Sequence, residues 1–357
     1  MVIAIALVSQ CLDRPLGFGI STYSYQLFQE LKKRNIEVKT IIAPLTFPSK
    51  PYFLSFKVLL NVTHTKLYHF LEPTTGIIFP LFKKFHPDKV IITTIYDLQL
   101  YLFYHNQKNK SQNLYGRGWR AAIRNVTTQF HIQSIRTAVQ NSDLLIAISS
   151  QTKRDLIDYL DIAENKIRVV PLGADERFKP IKRTKNRSFA VGYLGNFESH
   201  KDVPFLIHAY SIFEKQYPQS KLVLYGKGAK QEECLELARK LGIKNAEFRG
   251  YADEKDLVNI YNSFDVFVFP SDMEGFGLPI IEAQRCLVPV IVKEKTHIPE
   301  EVTKFCLKAK DEQHAAELIE GVYNNGFTFT KEHKNHLAQF TWKNCADRTI
   351  EVYEEFL

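Results

Sequence analysis

The chain has 357 residues, 45% of them hydrophobic, which is ample for a buried core and suggests two domains; no apolar run is long enough to span a bilayer. Its formal charge of +8 is uneven: residues 1–180 hold 23 basic and 13 acidic side chains, residues 181–357 hold 24 and 26. The five cysteines (Cys11, Cys234, Cys286, Cys306, Cys345) are scattered and lack metal-ligand spacing, which excludes a disulfide framework and points to a reduced, cytosolic setting.

The start, Met1–Ser9, is apolar and short, lacks a basic leader and runs into Asp13-Arg14-Pro15. It reads as a first buried strand over Val2–Val8, not as a signal peptide. Gly17-Phe18-Gly19 then opens a helix with Ile20, Tyr23, Leu27, Phe28 and Leu31 at helical spacing. Alone, such a glycine turn is a weak signal. Further strands are expected at Ile36–Ile42, Lys66–Phe70 and Lys89–Ile95, the last running into Tyr96-Asp97-Leu98. Asp97 suits either a polar role at this strand end or a turn cap. Between Asp97 and Asp143 there is no acidic residue, while Lys108, Lys110, Arg117, Arg120, Arg124 and Arg136 lie among Tyr101, Phe103, Tyr104, Tyr115 and Trp119. Such a surface suits an anionic membrane face or an anionic acceptor, or is simply a solvated helix. No nucleic-acid motif accompanies the charge, so no nucleic-acid partner is expected. A helix over Arg117–Val139, a strand over Asp143–Ile148, a helix over Ser150–Tyr159 capped by Ser149 or Ser150, and a strand at Lys166–Pro171 complete this half.

The polar, basic stretch Arg177–Arg187 reads as a linker. A second alternating series follows, with strands at Phe189–Leu194, Lys221–Tyr225, Ala246–Arg249, Val266–Phe269 and Val288–Val292. Strand–helix alternation in both halves argues for an α/β fold with two doubly wound parallel sheets, which bind ligands beyond their carboxyl strand ends.

The chemistry-bearing run is Glu274-Gly275-Phe276-Gly277-Leu278-Pro279-Ile280-Ile281-Glu282. Two glycines allow close backbone approach, and the helix from Leu278 directs free N–H groups and a positive dipole end outward, which suits a phosphate. Glu282 is placed to accept from a ribose and Glu274 to face a sugar.

This Glu-x7-Glu arrangement resembles the retaining glycosyltransferases of family 4, which have the GT-B architecture of two Rossmann-like domains facing a central cleft. The resemblance covers nearly the full length. It implies an acceptor-side domain over 1–180, a nucleotide-sugar-binding domain over 181–340, and a helix over 341–357 packing back on the first domain. It also implies residue roles. Lys201, in Gly195-Asn196-Phe197-Glu198-Ser199-His200-Lys201, matches the family lysine beside the donor diphosphate, where a fixed cation stabilises the departing charge. The family often has arginine where this chain has Asn196 or His200. Gly17 and Gly19 match the first-domain loop near diphosphate and acceptor, and Tyr96 stands where many members have a histidine against the transferred sugar. Gly226-Lys227-Gly228 and Arg249-Gly250-Tyr251 match segments holding donor phosphate and base, with Tyr251 placed to stack on the base. Ser149–Lys153 resembles a cleft-facing segment, although a plain helix cap accounts for it.

The expectation is therefore a metal-independent, retaining hexosyltransferase that takes a nucleoside-diphosphate sugar of the GDP-mannose or UDP-glucose type to a glycan or lipid-linked acceptor. Lys201, Glu274 and Asp97 carry the catalytic expectation; Gly19, Asn196, Gly226, Tyr251, Gly275, Phe276, Gly277, Leu278 and Glu282 the donor; Gly17 and Tyr96 the acceptor. No cofactor or metal is expected, because no Asp-x-Asp pair or His–Cys cluster occurs. The expected setting is cytoplasmic, with an anionic inner membrane face as a further partner. The alternatives are a non-catalytic sugar-nucleotide binder, a nucleotide-sugar epimerase of the same architecture, and a glycoside hydrolase, for which these carboxylates are poorly placed.

Overall fold

The structure, a computed structural model, describes residues 3–9, 12, 19–34, 36–42, 54, 57–99, 101–102, 119–182 and 187–357, with backbone alone over 119–126. The chain divides into two compact units, Met1–Leu172 with Trp342–Leu357, and Gly173–Thr341.

The first unit runs β1 (Ala4–Ser9), α1 (Gly19–Lys33), β2 (Glu37–Ile42), β3 (Leu67–Phe70), α2 (Phe79–Phe85), β4 (Val90–Ile95), α3 (Trp119–Asn141), β5 (Leu144–Ala147), α4 (Ser150–Leu160) and β6 (Ile167–Val169). Its sheet has the order β2-β1-β3-β4-β5-β6, every pair parallel. The strands read as near-continuous apolar runs because helices cover both faces, and β3 and β5 are buried throughout. The strand order reverses between β1 and β3.

The second unit runs β7 (Ala190–Leu194), α5 (Val203–Gln216), β8 (Lys221–Tyr225), α6 (Gln231–Lys240), β9 (Ala246–Gly250), α7 (Leu257–Asn262), β10 (Val266–Phe269), α8 (Leu278–Arg285), β11 (Val290–Lys293), α9 (Glu300–Thr303), β12 (Leu307–Ala309), α10 (Glu312–Asn325) and α11 (Lys331–Ala338). The sheet order is β12-β11-β10-β7-β8-β9, again parallel, so the order reverses between β7 and β10. One face of it packs Tyr193, Leu206, Tyr210, Leu224 and Val268 into a core with Ala315 and Ile319 of α10.

The final helix, α12 (Trp342–Glu354), belongs to the first unit. Tyr353 Oη lies 2.6 Å from His69 Nδ1, and His69 Nε2 lies 2.8 Å from Thr94 Oγ1, which Tyr23 Oη approaches at 3.1 Å. Burial pushes the His69 pKa down to about 3, so the ring is neutral and its hydrogen bonds carry no charge to desolvate. Arg34 donates to Asp347 at 2.7 Å from outside this buried chain.

The stretch read as a linker is ordered where described. Phe178 is buried, Arg177 donates to Glu254 at 3.0 Å, and the Asn262 side chain bonds both Ile181 N and Lys179 O. An amphipathic segment pinned by a buried asparagine looks polar in sequence, which is why it resembles a linker there. Residues 183–186 lie outside the described set.

Candidate functional site

The two switch points gather most of the residues singled out by sequence. In the second unit Lys201 follows β7 and Glu274 follows β10, the two strands flanking the reversal. The Lys201 ammonium donates to Glu274 Oε1, and it lies 5.5 Å from the Phe269 ring centre. Only 15% and 14% of the two side chains is exposed. Backbone bonds join the loops that carry them: Asp272 N donates to His200 O at 2.8 Å and Glu274 N to His297 O at 3.1 Å. His200 has its pKa lowered by burial and by the neighbouring Lys201, which favours a neutral ring.

Gly275 follows Glu274, and Gly277 caps α8 with φ at +99°, a left-handed conformation that an L side chain rarely adopts. A Cβ there would also meet Ile280 Cδ1 at 3.3 Å. The helix begins at Leu278, with a proline in its first turn where the missing N–H costs nothing. Phe276, placed by sequence among the donor contacts, turns its ring inward: it is buried and meets Phe340 edge-on at 5.8 Å. Only its backbone is left for a ligand.

Glu282 lies on the second turn of α8 and accepts from Tyr261 Oη at 2.7 Å. The residue keeps partial exposure while its carboxyl group sits deep, and burial raises its pKa to about 7. The Tyr261 hydrogen bond and the Arg177 charge oppose that rise; Asp175 and Glu254 add to it.

The loops after β7, β8 and β9 are stitched by backbone bonds: Gly195 N to Tyr225 O at 3.1 Å, Phe197 N to Lys227 O at 3.1 Å, and Gly226 N to Gly250 O at 2.6 Å. Gly226 is required at this crossing, because a Cβ on it would lie 1.8 Å from Gly195 O. Asn196 is exposed, and its carbonyl accepts from Tyr193 Oη at 2.8 Å. Tyr251 follows Gly250 with 60% of its surface exposed, a free aromatic face at the sheet edge.

The first unit holds its own group at the carboxyl ends of β1, β3 and β4. Tyr96 is buried edge-on against Tyr23 at 5.6 Å, and its hydroxyl, with Ser24 nearby, makes no well-formed hydrogen bond among the described residues. Burial, then Tyr23 and Glu72, raise its pKa well above the ordinary phenol value. Asp97 Oδ1 accepts from Gln99 N at 2.9 Å, the turn-capping geometry anticipated for it. Gly19 opens α1 with nothing within 4 Å of an added Cβ. Gly17 lies outside the described residues, as do Lys108, Lys110, Arg117, Phe103, Tyr104 and Tyr115. Arg136 donates to Tyr101 Oη at 2.9 Å and lies over its ring. Ser149 caps α4 by accepting from Thr152 N, and Thr152 Oγ1 donates to Tyr96 O at 2.9 Å, so the segment ties α4 to β4.

Sequence reading missed four contributors: Tyr261 beneath Glu282, Arg177 near it, Lys293 behind Lys201, and Glu72. Glu72 ends the β3 segment, is buried, and accepts from Ser9 Oγ at 3.2 Å. None sits at a telling spacing from a motif; a buried carboxylate directly after an apolar strand was the one available signal, at Glu72. Among the described residues no helix is long and apolar enough to cross a membrane, and no group of three or more His, Cys, Asp or Glu could hold a metal ion.

Residues 174–341 match the family model for glycosyl transferases group 1, and residues 19–178 match that for glycosyltransferase family 4. The chain is 30% identical over 243 residues to the serotype-specific mannosyltransferase WbdA of Escherichia coli, a stretch covering 61% of this chain and 29% of that protein. It is 29% identical over 244 residues to the D-inositol 3-phosphate glycosyltransferase of Corynebacterium jeikeium, covering 61% and 58%. The chain thus spans less than two thirds of the length of these curated relatives. Among solved structures, Anabaena HepE in complex with UDP and glucose superposes with a TM-score of 0.71 at 16% identity, covering 98% of this chain and 99% of that one. Sucrose-phosphate synthase from Thermosynechococcus elongatus gives 0.75 at 19% identity, covering 99% and 98%. With two parallel six-stranded sheets and both family signatures in place, the chain belongs to the family 4, group 1 glycosyltransferases and has their GT-B fold.

Proposed function

We propose that this glycosyltransferase is a retaining, metal-independent hexosyltransferase that moves a hexose from a nucleoside-diphosphate sugar, GDP-mannose or UDP-glucose in type, to a glycan or lipid-linked acceptor. The observation that carries the reading is the meeting of Lys201 and Glu274 at the second unit's switch point, with the N-terminus of α8, which no side chain caps, next in the chain. The mannosyltransferase relative and the UDP and glucose of the HepE structure support the donor class.

In this reading Lys201 and the start of α8 neutralise the diphosphate, which gains negative charge as the sugar's C1–O bond breaks. Glu274 and the backbone of residues 274–277 hold the sugar hydroxyls, Glu282 accepts from the ribose, and Tyr251 stacks on the base. The acceptor oxygen attacks C1 from the face the diphosphate leaves, forming the new C–O bond. Its proton passes to the departing phosphate oxygen, so no enzyme base is needed. Tyr96 serves the acceptor side, and Asp97 takes part in holding the transferred sugar.

Titrating the protein calorimetrically with UDP, GDP and ADP, with and without magnesium, tests this. Metal-independent binding of one diphosphate, weakened in Glu282→Ala, is expected. Binding of none, or binding only with magnesium, would overturn it.

A further inference from the structure

Behind the Lys201–Glu274 pair stands a second cation. Lys293 ends β11, which pairs with β10. Its ammonium donates to Asp202 Oδ2 at 2.7 Å and to Asp272 Oδ1, and it lies 5.7 Å from the Phe205 ring centre. Asp202 is the residue after Lys201 and is held in the left-handed region at φ +43°. Asp272 stands two residues before Glu274, and its backbone bonds His200 O and His297 N. One poorly exposed ammonium therefore clamps the two loops that present the site's cation and its carboxylate. It also sorts charge. Two carboxylates, one adjoining Lys201, are neutralised from behind, so they neither draw the Lys201 ammonium away from the site nor repel an incoming phosphate.

We propose that Lys293 is a positioning residue of the donor site: through Asp202 and Asp272 it fixes the Lys201 loop against the Glu274 loop and reserves Lys201 for the donor diphosphate. This rests on the donor reading above and adds a residue that neither motif contains. Lys293 acts through the two aspartates, so its effect falls on recognition of the second phosphate and spares the nucleoside end, which Glu282 and Tyr251 serve.

The test compares UMP with UDP and GMP with GDP by calorimetry, in the intact chain and in Lys293→Met and Lys293→Arg. The wild type is expected to bind one diphosphate more tightly than its monophosphate. Lys293→Met should weaken the diphosphate about tenfold, the loss of one charge-assisted contact, and the monophosphate less than about twofold. Lys293→Arg, which keeps the charge and both donors, should recover most of the difference. An equal loss for both nucleotides would mean that Lys293 serves folding alone, and an unchanged diphosphate affinity would mean no role; either overturns the inference and leaves the donor reading standing. A wild type that binds none of the four overturns the donor reading and this inference with it. If Lys293→Met does not fold, Lys293→Gln, which keeps an amide donor for the carboxylates, takes its place: a selective loss of diphosphate affinity supports the inference, and an equal loss or none overturns it.

Discussion

Glu282 offers the sharpest test of the donor site because stability and binding should move in opposite directions. Its pKa is raised to about 7 by burial, against an ordinary carboxylate value of 4.5. A group whose folded pKa is raised contributes stability that is complete below the unfolded value and is lost as pH rises through the folded one. The interval of roughly 2.5 pH units corresponds to at most about 3–4 kcal/mol, which is an upper bound because the residue keeps some exposure. Glu282→Gln removes the charge while its amide oxygen still accepts from Tyr261. The variant should therefore match the wild type near pH 5 and exceed it in urea unfolding near pH 8. Ligand binding should go the other way. A ribose hydroxyl donating to Glu282 favours the ionised form, so the wild type should bind more tightly as pH rises from 5 to 7, by at most about tenfold per pH unit, and level off above. UDP-glucose and GDP-mannose are the proper probes, since neither diphosphate carries a proton that titrates there. Glu282→Gln should bind more weakly at pH 8, with a flat profile. Arg177→Met removes a cation that holds the Glu282 pKa down, and should push the wild-type profile to higher pH. A flat wild-type profile, or a variant that keeps the same slope, would refute the ribose role.

Lys201→Ala should lower turnover roughly 10²–10³-fold, the scale seen when one preorganised group facing developing charge is lost, measured as sugar released or transferred at saturating donor. Glu274→Gln should bind the bare nucleoside diphosphate more tightly than wild type, because Lys201 is released, yet transfer sugar more slowly; weaker diphosphate binding in calorimetry would contradict this. Tyr96→Phe removes a buried hydroxyl that makes no well-formed hydrogen bond among the described residues, with only Ser24 nearby, so the variant should unfold at equal or higher denaturant concentration. Its turnover should fall, since the proposed mechanism assigns that hydroxyl to substrate; full activity would remove Tyr96 from the acceptor side. Gly277→Ala should lose on the order of 1–2 kcal/mol in urea midpoint measurements, from the left-handed backbone alone.

The architecture was legible because the central parallel strands are buried on both faces and so appear as apolar runs of four to six residues between helical periods, as in Val266–Phe269 or Val90–Ile95. The Glu274–Glu282 segment was legible for a related reason. Its proposed roles sit on one strand–turn–helix unit, so spacing along the chain translates into spacing in space. Tyr261, Arg177 and Lys293 reach their partners across 21, 105 and 91 positions respectively, between elements, and no local pattern announces such contacts. Phe276 marks the opposite failure. It lies between two glycines in the motif, but an aromatic flanked by flexible backbone is free to turn inward, and packing against Phe340 decides the matter.

The proposed donor half-site is built from pairs in which a ligand would have to replace a protein partner. Lys201 and Glu274 satisfy each other, and separating a poorly exposed ion pair leaves two charges to be matched. A bare diphosphate matches only one of them: it takes Lys201 and leaves Glu274 without a donor. A sugar on the same diphosphate supplies the missing hydroxyls, so the complete donor satisfies both groups at once. On the proposed mechanism the contact between the cation and the carboxylate would select for the whole sugar nucleotide over its own leaving group, and the same pairing would favour product release. The proposed Lys293 clamp would sharpen this selection, because a Lys201 drawn to Asp202 would already have left Glu274 and would meet a diphosphate without that exchange.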